Sequence, residues 1–304
     1  MHIPDHMLNG QICPVTVIVS ALGIAGATIA AIRSKEKPKA SRFGAVAAFI
    51  FAAQMMNFPV LNGTSGHLLG GVLASALLGV PFGVLATALV LCVQCFVFSD
   101  GGVSVLGANI LNMAILGAGL GGLLYKSLIH SAPESSFQKT TALGFAAWFS
   151  VMLAALACSI ELGVSGTISF VKVAGTMLGV HALIGIGEGL ITVIVYRLFS
   201  APALKESSSW NVGAPLLAAG MIGTLLSSFA SSFPDGLEWV AEKYQFFHEA
   251  APAFVSPLPD YAVPVLQNEF WSAGLAGLIG VAATFILGWL FAKSFTGLKL
   301  NAAH

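Results

Sequence analysis

The sequence predicts an all-α integral membrane protein, with a seven-helix bundle followed by a two-helix region that carries an extracytoplasmic loop. Three observations predict it. Of 304 residues, 57% are hydrophobic and only 9% charged, and the mean hydropathy is +0.88, whereas soluble domains carry about a quarter charged residues. Continuous apolar runs recur at lengths that cross a hydrocarbon core of about 30 Å, which takes about 20 helical residues. The basic residues fall almost entirely into alternate loops. Because the runs are continuous and not alternating, a β-barrel is excluded.

The expected spans lie near 12–32, 43–58, 67–80, 82–98, 105–125, 142–161, 172–197, 212–230 and 270–292. The 67–80 span is short, which fits a tilted, re-entrant or protein-buried element. With the N-terminus outside, Arg33, Lys35, Lys37, Lys39, Arg42, Lys126, Lys139, Arg197, Lys205, Lys293 and Lys299 lie inside, and only Lys172 and Lys243 lie outside. That asymmetry follows the positive-inside rule and sets the C-terminus in the cytoplasm. Residues 1–11 contain no Lys or Arg and no small-residue cleavage site, so no removable signal peptide is expected. A net charge of zero gives nucleic acid no electrostatic footprint.

A polar linker, SAPALKESSSWN at 200–211, separates residues 1–200 from 211–304. Glycine-rich faces in the first part allow close helix approach. In the second, an outer segment from about 231 to 269 contains five prolines, and Asp235 to Phe247 is expected to form a short amphipathic helix capped by Asp235. Cys92 and Cys95 form a CxxC inside an apolar run; with Cys13 and Cys158 they are expected to pack as small hydrophobes.

The chemistry starts at Met1-His2-Ile3-Pro4-Asp5. An unblocked α-amine on Met1, the amide nitrogen of His2 and its imidazole close two fused chelate rings, a planar nitrogen set suited to nickel(II) or copper(II). The same outer face carries the loop Asn57 to His67, broken by Pro59, Gly63 and Gly66. His67 is expected to start the next helix and either cap it or add a fourth nitrogen. Asn62 and Ser65 in this loop are candidates to orient ligands or line a pathway. His6 is a candidate extra ligand or access residue. Asp100, in the Gly-rich turn SDGGVSVLGAN, is expected to cap a helix end. Asn109 and Asn112 are costly amides in an apolar helix, placed to orient an imidazole or pair helices. His181 and Glu188, seven apart on one helix face, are intramembrane ionisable groups and so functional candidates by default, although Glu188 can equally anchor helices. HExxH, Walker A and GxSxG are absent, and no GxGxxG follows a strand. No catalytic residue is assigned.

Four stretches in order, MHIPDHML at 1–8, NGTSGHLLGG at 62–71, DGGVSVLGANILNMA at 100–114 and HALIGIGEGLIT at 181–192, resemble the CbiM/NikM family, the substrate-binding components of energy-coupling-factor transporters for cobalt and nickel. SSFPDGLEWVAEK at 231–243 resembles the PDGLE domain of the accessory NikN-type component, so the chain reads as a natural fusion. The resemblance implies a non-enzymatic component of an ATP-driven importer in a bacterial or archaeal cytoplasmic membrane. Its substrate would be Ni2+ or Co2+, with nickel favoured and no organic cofactor. Its partners would be a CbiQ/NikQ-type coupling protein, CbiO/NikO-type cytoplasmic ATPases and membrane lipid. The metal ligands implied are Met1, His2 and His67. Family members usually have Gly after the N-terminal Asp, where this chain has His6. A membrane metalloenzyme and a stand-alone channel or carrier are the alternatives.

Overall fold

The computed structural model describes residues 2–130, 136–200, 210–246 and 254–297. Its apolar helices are α1 (Ile12–Arg33), α2 (Ala40–Gln54), α3 (Gly71–Leu78), α4 (Val80–Phe98), α5 (Leu106–His130), α6 (Ser136–Val164), α7 (Phe170–Phe199) and α8 (Trp210–Leu226). They are followed by a short polar helix, α9 (Gly236–Tyr244), and a long apolar one, α10 (Glu269–Gly297). Among the described residues, α1, α4, α5, α6, α7 and α10 are long and apolar enough to cross a membrane. The chain is a multi-pass, all-α membrane protein, as the sequence predicts.

Two of the expected spans end elsewhere. The second helix stops at Gln54, not at 58, and the third starts at Gly71, not at 67. Between them the chain is extended: β1 (Phe58–Pro59) pairs antiparallel with β2 (Ser65–Gly66), with Phe58 opposite Gly66 and Pro59 opposite Ser65. Pro59 limits helix on one side. On the other, Gly70 adopts φ 72°, a left-handed conformation that no helical turn can continue. α3 has only eight residues, seven of them buried, so the short span is a protein-packed element and not a lipid-facing one.

α2 is the centre of the bundle. Every residue from Phe43 to Gln54 is buried, and α3, α4, α8 and α10 surround it. Between apolar helices in lipid the gain comes from packing rather than from water release. Close approach is therefore decisive: a Cβ on Gly44 would stand 2.6 Å from the carbonyl oxygen of Phe285 on α10. The last helix of the chain is thus built into the same core as the first ones. By contrast α1 buries only 17% of its apolar window and turns Val15, Ile18 and Leu22 outward. The middle of α5, Ile110–Leu120, is π-helical. Such wider turns recur at functional sites, and this one follows directly on Asn109.

Candidate metal site

The N-terminal tail is held at one end of the bundle by a dense set of contacts. Ile3, Met7 and Leu8 are buried. The amide N–H of Ile3 donates to Asn109 Oδ1 at 2.8 Å and Asn109 Nδ2 donates back to Ile3 O at 3.1 Å. Gly102 N also donates to Ile3 O, at 2.9 Å, and the Asp5 carboxylate accepts from Ser104 N and Oγ at 2.9 and 2.6 Å. Gly102 is required here, since a Cβ would stand 2.3 Å from the amide nitrogen of Asp5. Thr167 Oγ1 donates to Met7 O at 2.7 Å from the other side.

This clamp brings His2 against His67. Their rings stack with centroids 5.0 Å apart and planes 16° apart. His67 is 5% exposed, and the side chain of His2 is 7% exposed. Burial holds both imidazoles well below the ordinary value of 6.5, because desolvation disfavours the cation, so both are neutral bases. His67 Nδ1 lies 3.1 Å from the carbonyl oxygen of Leu68. A carbonyl only accepts, so Nδ1 carries the proton and Nε2 keeps its lone pair. On His2, Nε2 lies 3.2 Å from Gln94 Oε1 and Nδ1 lies 3.2 Å from Asp100 Oδ1. Tyr261 donates to the other oxygen of Asp100 at 2.5 Å.

The second carboxylate comes from far along the chain. Asp235 Oδ2 lies 3.9 Å from His67 Nε2, while Asp235 Oδ1 accepts from Leu237 N and Glu238 N at 2.7 and 2.9 Å. Glu238 Oε2 returns the favour by accepting from Asp235 N at 2.9 Å, a complete capping box at the start of α9. The loop that carries His67 is tied to this segment. Ser65 N donates to Pro234 O at 2.8 Å, Ser231 N donates to Asn57 O at 2.8 Å, and Ser65 Oγ donates to Phe233 O at 2.7 Å.

Several sequence expectations change in this light. His67 does not start a helix; it follows β2 directly and sits four residues before α3. Asp100 closes α4 through its backbone, its N–H donating to Gln94 O at 3.1 Å after Ser99 in a left-handed conformation, and not through its carboxylate, which faces His2 and Tyr261. Glu188 anchors. Its oxygens accept from Leu69 N at 2.6 Å and Gly70 N at 2.9 Å, fixing the loop just after His67. His181 Nδ1 donates to Met177 O at 2.8 Å, and the ring packs beneath Gly236, where a Cβ would meet its Nε2 at 3.0 Å. It does not join Glu188 in one site. Asn109 holds the tail backbone and not an imidazole, and Asn112 Nδ2 donates to Glu161 Oε2 at 2.7 Å. His6 is exposed at φ 64°, the left-handed region where Gly is most at ease, which gives a physical reason for the glycine usual there. Met1 lies outside the described residues, as does the side chain of Asn62, whose backbone forms the 3-10 turn Leu61–Gly63. The four cysteines are free, with Cys95 and Cys158 buried.

Sequence reasoning missed Gln94 and Tyr261. Gln94 stands in the CxxC run as Cys92-Val93-Gln94-Cys95, and a buried amide in an apolar helix is costly unless paired; that cost was the available signal. Tyr261 lies in a loop without periodicity, and nothing local marks it.

Fold and site first define a class: a multi-pass, all-α membrane protein with two neutral histidines buried against the N-terminal tail. The chain belongs to the CbiM family, the cobalt uptake substrate-specific transmembrane region, whose model matches residues 2–204. A PDGLE domain matches residues 209–296. A chain from Archaeoglobus fulgidus named as a fused nickel transport protein, NikMN, is 35% identical over 96% of this chain and 98% of its own length. The fused nickel transport protein NikMN of Rhodobacter capsulatus is 26% identical over 93% and 94%. A crystal structure of a transition metal transporter superposes with a TM-score of 0.59 at 27% identity, covering 70% of this chain and 98% of that one. These relatives are metal transport proteins and not enzymes.

Proposed function

We propose that this chain is the substrate-binding component of an ATP-driven energy-coupling-factor importer for nickel or cobalt, with nickel favoured. The observation that carries the reading is the stack of His2 on His67, 5.0 Å apart, with the tail backbone pinned at the next residue, Ile3, by Asn109. In this reading the metal is substrate. Met1 supplies its α-amine, His2 its amide and imidazole nitrogens, and His67 supplies Nε2, the nitrogen that the Leu68 carbonyl leaves unprotonated. Four nitrogens in a plane suit nickel(II).

Residues 1–200 then act as the binding bundle and 211–304 as an accessory region. That region leans on the site through Asp235 and Tyr261, a placement that supports a role in closing it. Ser65 joins the two parts, Asn62 and His6 stand at the approach, and Asn109, His181 and Glu188 hold the framework. The N-terminal end faces outward and the C-terminus the cytoplasm. Hydrolysis of ATP resides on CbiO/NikO-type partners, coupled through a CbiQ/NikQ-type membrane protein. Metal binding displaces the amide proton of His2 and requires a neutral amine, so affinity falls as pH drops. The two imidazoles, already neutral, contribute little to that dependence near neutral pH.

Adding four residues before Met1, which carries the amine away without setting the histidine third in the chain where it would build a new four-nitrogen chelate, tests the reading by titrating nickel into the purified protein. The extension removes the chelate's amine and is expected to weaken binding at least 100-fold while the unfolding temperature of the metal-free protein stays put. Unchanged affinity in the extended chain would overturn the ligand set.

A further inference from the structure

At the other end of the bundle lies a feature that metal binding does not use. α1 has 22 residues, so its last turn stands about 33 Å from its first. There it opens a cleft of about 1100 Å³. Arg33, Lys37, Lys39, Arg42 and Lys126 line it, with Glu36 as the one carboxylate among the lining residues. The cations arrive from four separate pieces of chain: the end of α1, the loop after it, the start of α2, and α5. Some of their donors are used within the protein, since Arg42 donates to Leu77 O at 3.3 Å and Lys37 to Phe295 O at 3.3 Å. Hydrogen bonds to neutral carbonyls leave the charges of Arg42 and Lys37 in place. Against the single carboxylate of Glu36, the like charges of Arg33, Lys37, Arg42 and Lys126 leave the concavity net positive, which favours an anion.

The rest of the lining says what kind of anion. Gly26, Ala27 and Ala30 form a smooth wall along α1, the helix whose apolar window is 17% buried and which therefore borders lipid. Val84, Leu123 and Ile129 form the facing apolar wall. The first residues of α4, Gly79, Val80 and Pro81, also line the cleft. They bring the positive end of a 19-residue helix to the same space. A free inorganic ion would use the cationic rim and leave both apolar walls empty. A lipid uses both.

We propose that this cleft binds an anionic phospholipid, its phosphodiester headgroup among Arg33, Lys37, Arg42 and Lys126 and an acyl chain along Gly26, Ala27 and Ala30. Basic pockets between transmembrane helices on the cytoplasmic side hold acidic headgroups in this way. The site is independent of the metal-site reading; it rests on the cleft and its charges.

Native mass spectrometry of the full chain in detergent, titrated with phosphatidylglycerol, phosphatidylcholine or inorganic phosphate, tests it. Phosphatidylglycerol is expected to bind at least tenfold more tightly than phosphatidylcholine, and millimolar phosphate should not displace it. The double variant Arg33→Gln/Lys126→Gln is expected to lose that tenfold preference, and Arg33→Lys/Lys126→Arg to keep it. Lys35→Gln/Lys293→Gln removes as much charge from residues outside the cleft and is expected to change nothing. Equal binding of the two lipids would overturn the proposal, as would equal losses in the two Gln pairs. Full competition by phosphate would assign the cleft to a free phosphate and overturn the lipid.

Discussion

The two stacked histidines are served by different regions of the chain, and the carboxyl groups facing them are shifted in opposite directions. Asp100 comes from the bundle, in the turn after α4. Burial pushes its carboxyl up, and only partly does the hydrogen bond from Tyr261 counter this. Asp235 comes from the accessory region. Burial pushes it up too, but nearby positive charge, His67 and the amide of Glu238 bring it below the ordinary carboxylate value. The lesson is that a cap can do two things. The capping box that starts α9 also fixes an ionised oxygen 3.9 Å from His67 Nε2, whereas Asp100 depends on Tyr261, a residue 161 positions away, for its orientation.

If the bundle's half of the site depends on holding the tail, Asn109→Ala is the most damaging change around it. Two hydrogen bonds to Ile3 disappear, each worth about 1 kcal/mol when buried. Nickel affinity by calorimetry is expected to fall about 30-fold, with the helical content by circular dichroism unchanged.

Acid acts on both histidines at once. Their folded values are lowered, so the unfolded chain binds more protons wherever the pH is below the ordinary imidazole value of 6.5. Stability of the metal-free protein is therefore full above that value and is lost as pH falls below it. The loss is at most about 1.4 kcal/mol per pH unit for each histidine. Thermal unfolding between pH 8 and pH 5 checks the sign. A midpoint that rises on acidification would contradict the neutral pair.

Tyr261→Phe separates the accessory region's hydroxyl from its ring, which still stacks on Phe98 at 4.7 Å between centroids. Losing one buried hydrogen bond costs about 1 kcal/mol, and nickel affinity is expected to drop about fivefold. Asp235→Asn keeps the cap, because Asn caps helices as well as Asp does, and removes only the charge. The surroundings hold this carboxyl below its ordinary value and so favour the ionised form; thermal stability at pH 7 is expected to fall, and the difference from the unaltered protein to shrink as pH drops through the carboxylate range. Equal stability of the two proteins at pH 7 would contradict an ionised Asp235.

Much of this was legible in the sequence, but unevenly. Apolar runs located the membrane helices because hydrocarbon thickness sets their length. The helix at Gly236–Tyr244 and its Asp235 cap follow from local spacing, and local signals are what a sequence displays. The ends of α2 and α3 were misplaced because apolar Leu68 and Leu69 continue a helical composition. It is Gly70 and the carboxylate of Glu188, 118 residues away from Gly70, that keep this stretch extended. His2 and His67 were readable from chain position and loop chemistry. Gln94, Asp100 and Tyr261 acquire their meaning only through contacts between distant segments, and nothing in one sequence reports those.

The central claim is that His2 and His67 share one metal ion with the N-terminal backbone. Nickel titration of His2→Ala by isothermal calorimetry, beside the unaltered protein, tests it most directly. The account predicts one ion per chain for the unaltered protein and at least a 100-fold loss of affinity in the variant. One ion bound with unchanged affinity in His2→Ala would contradict it.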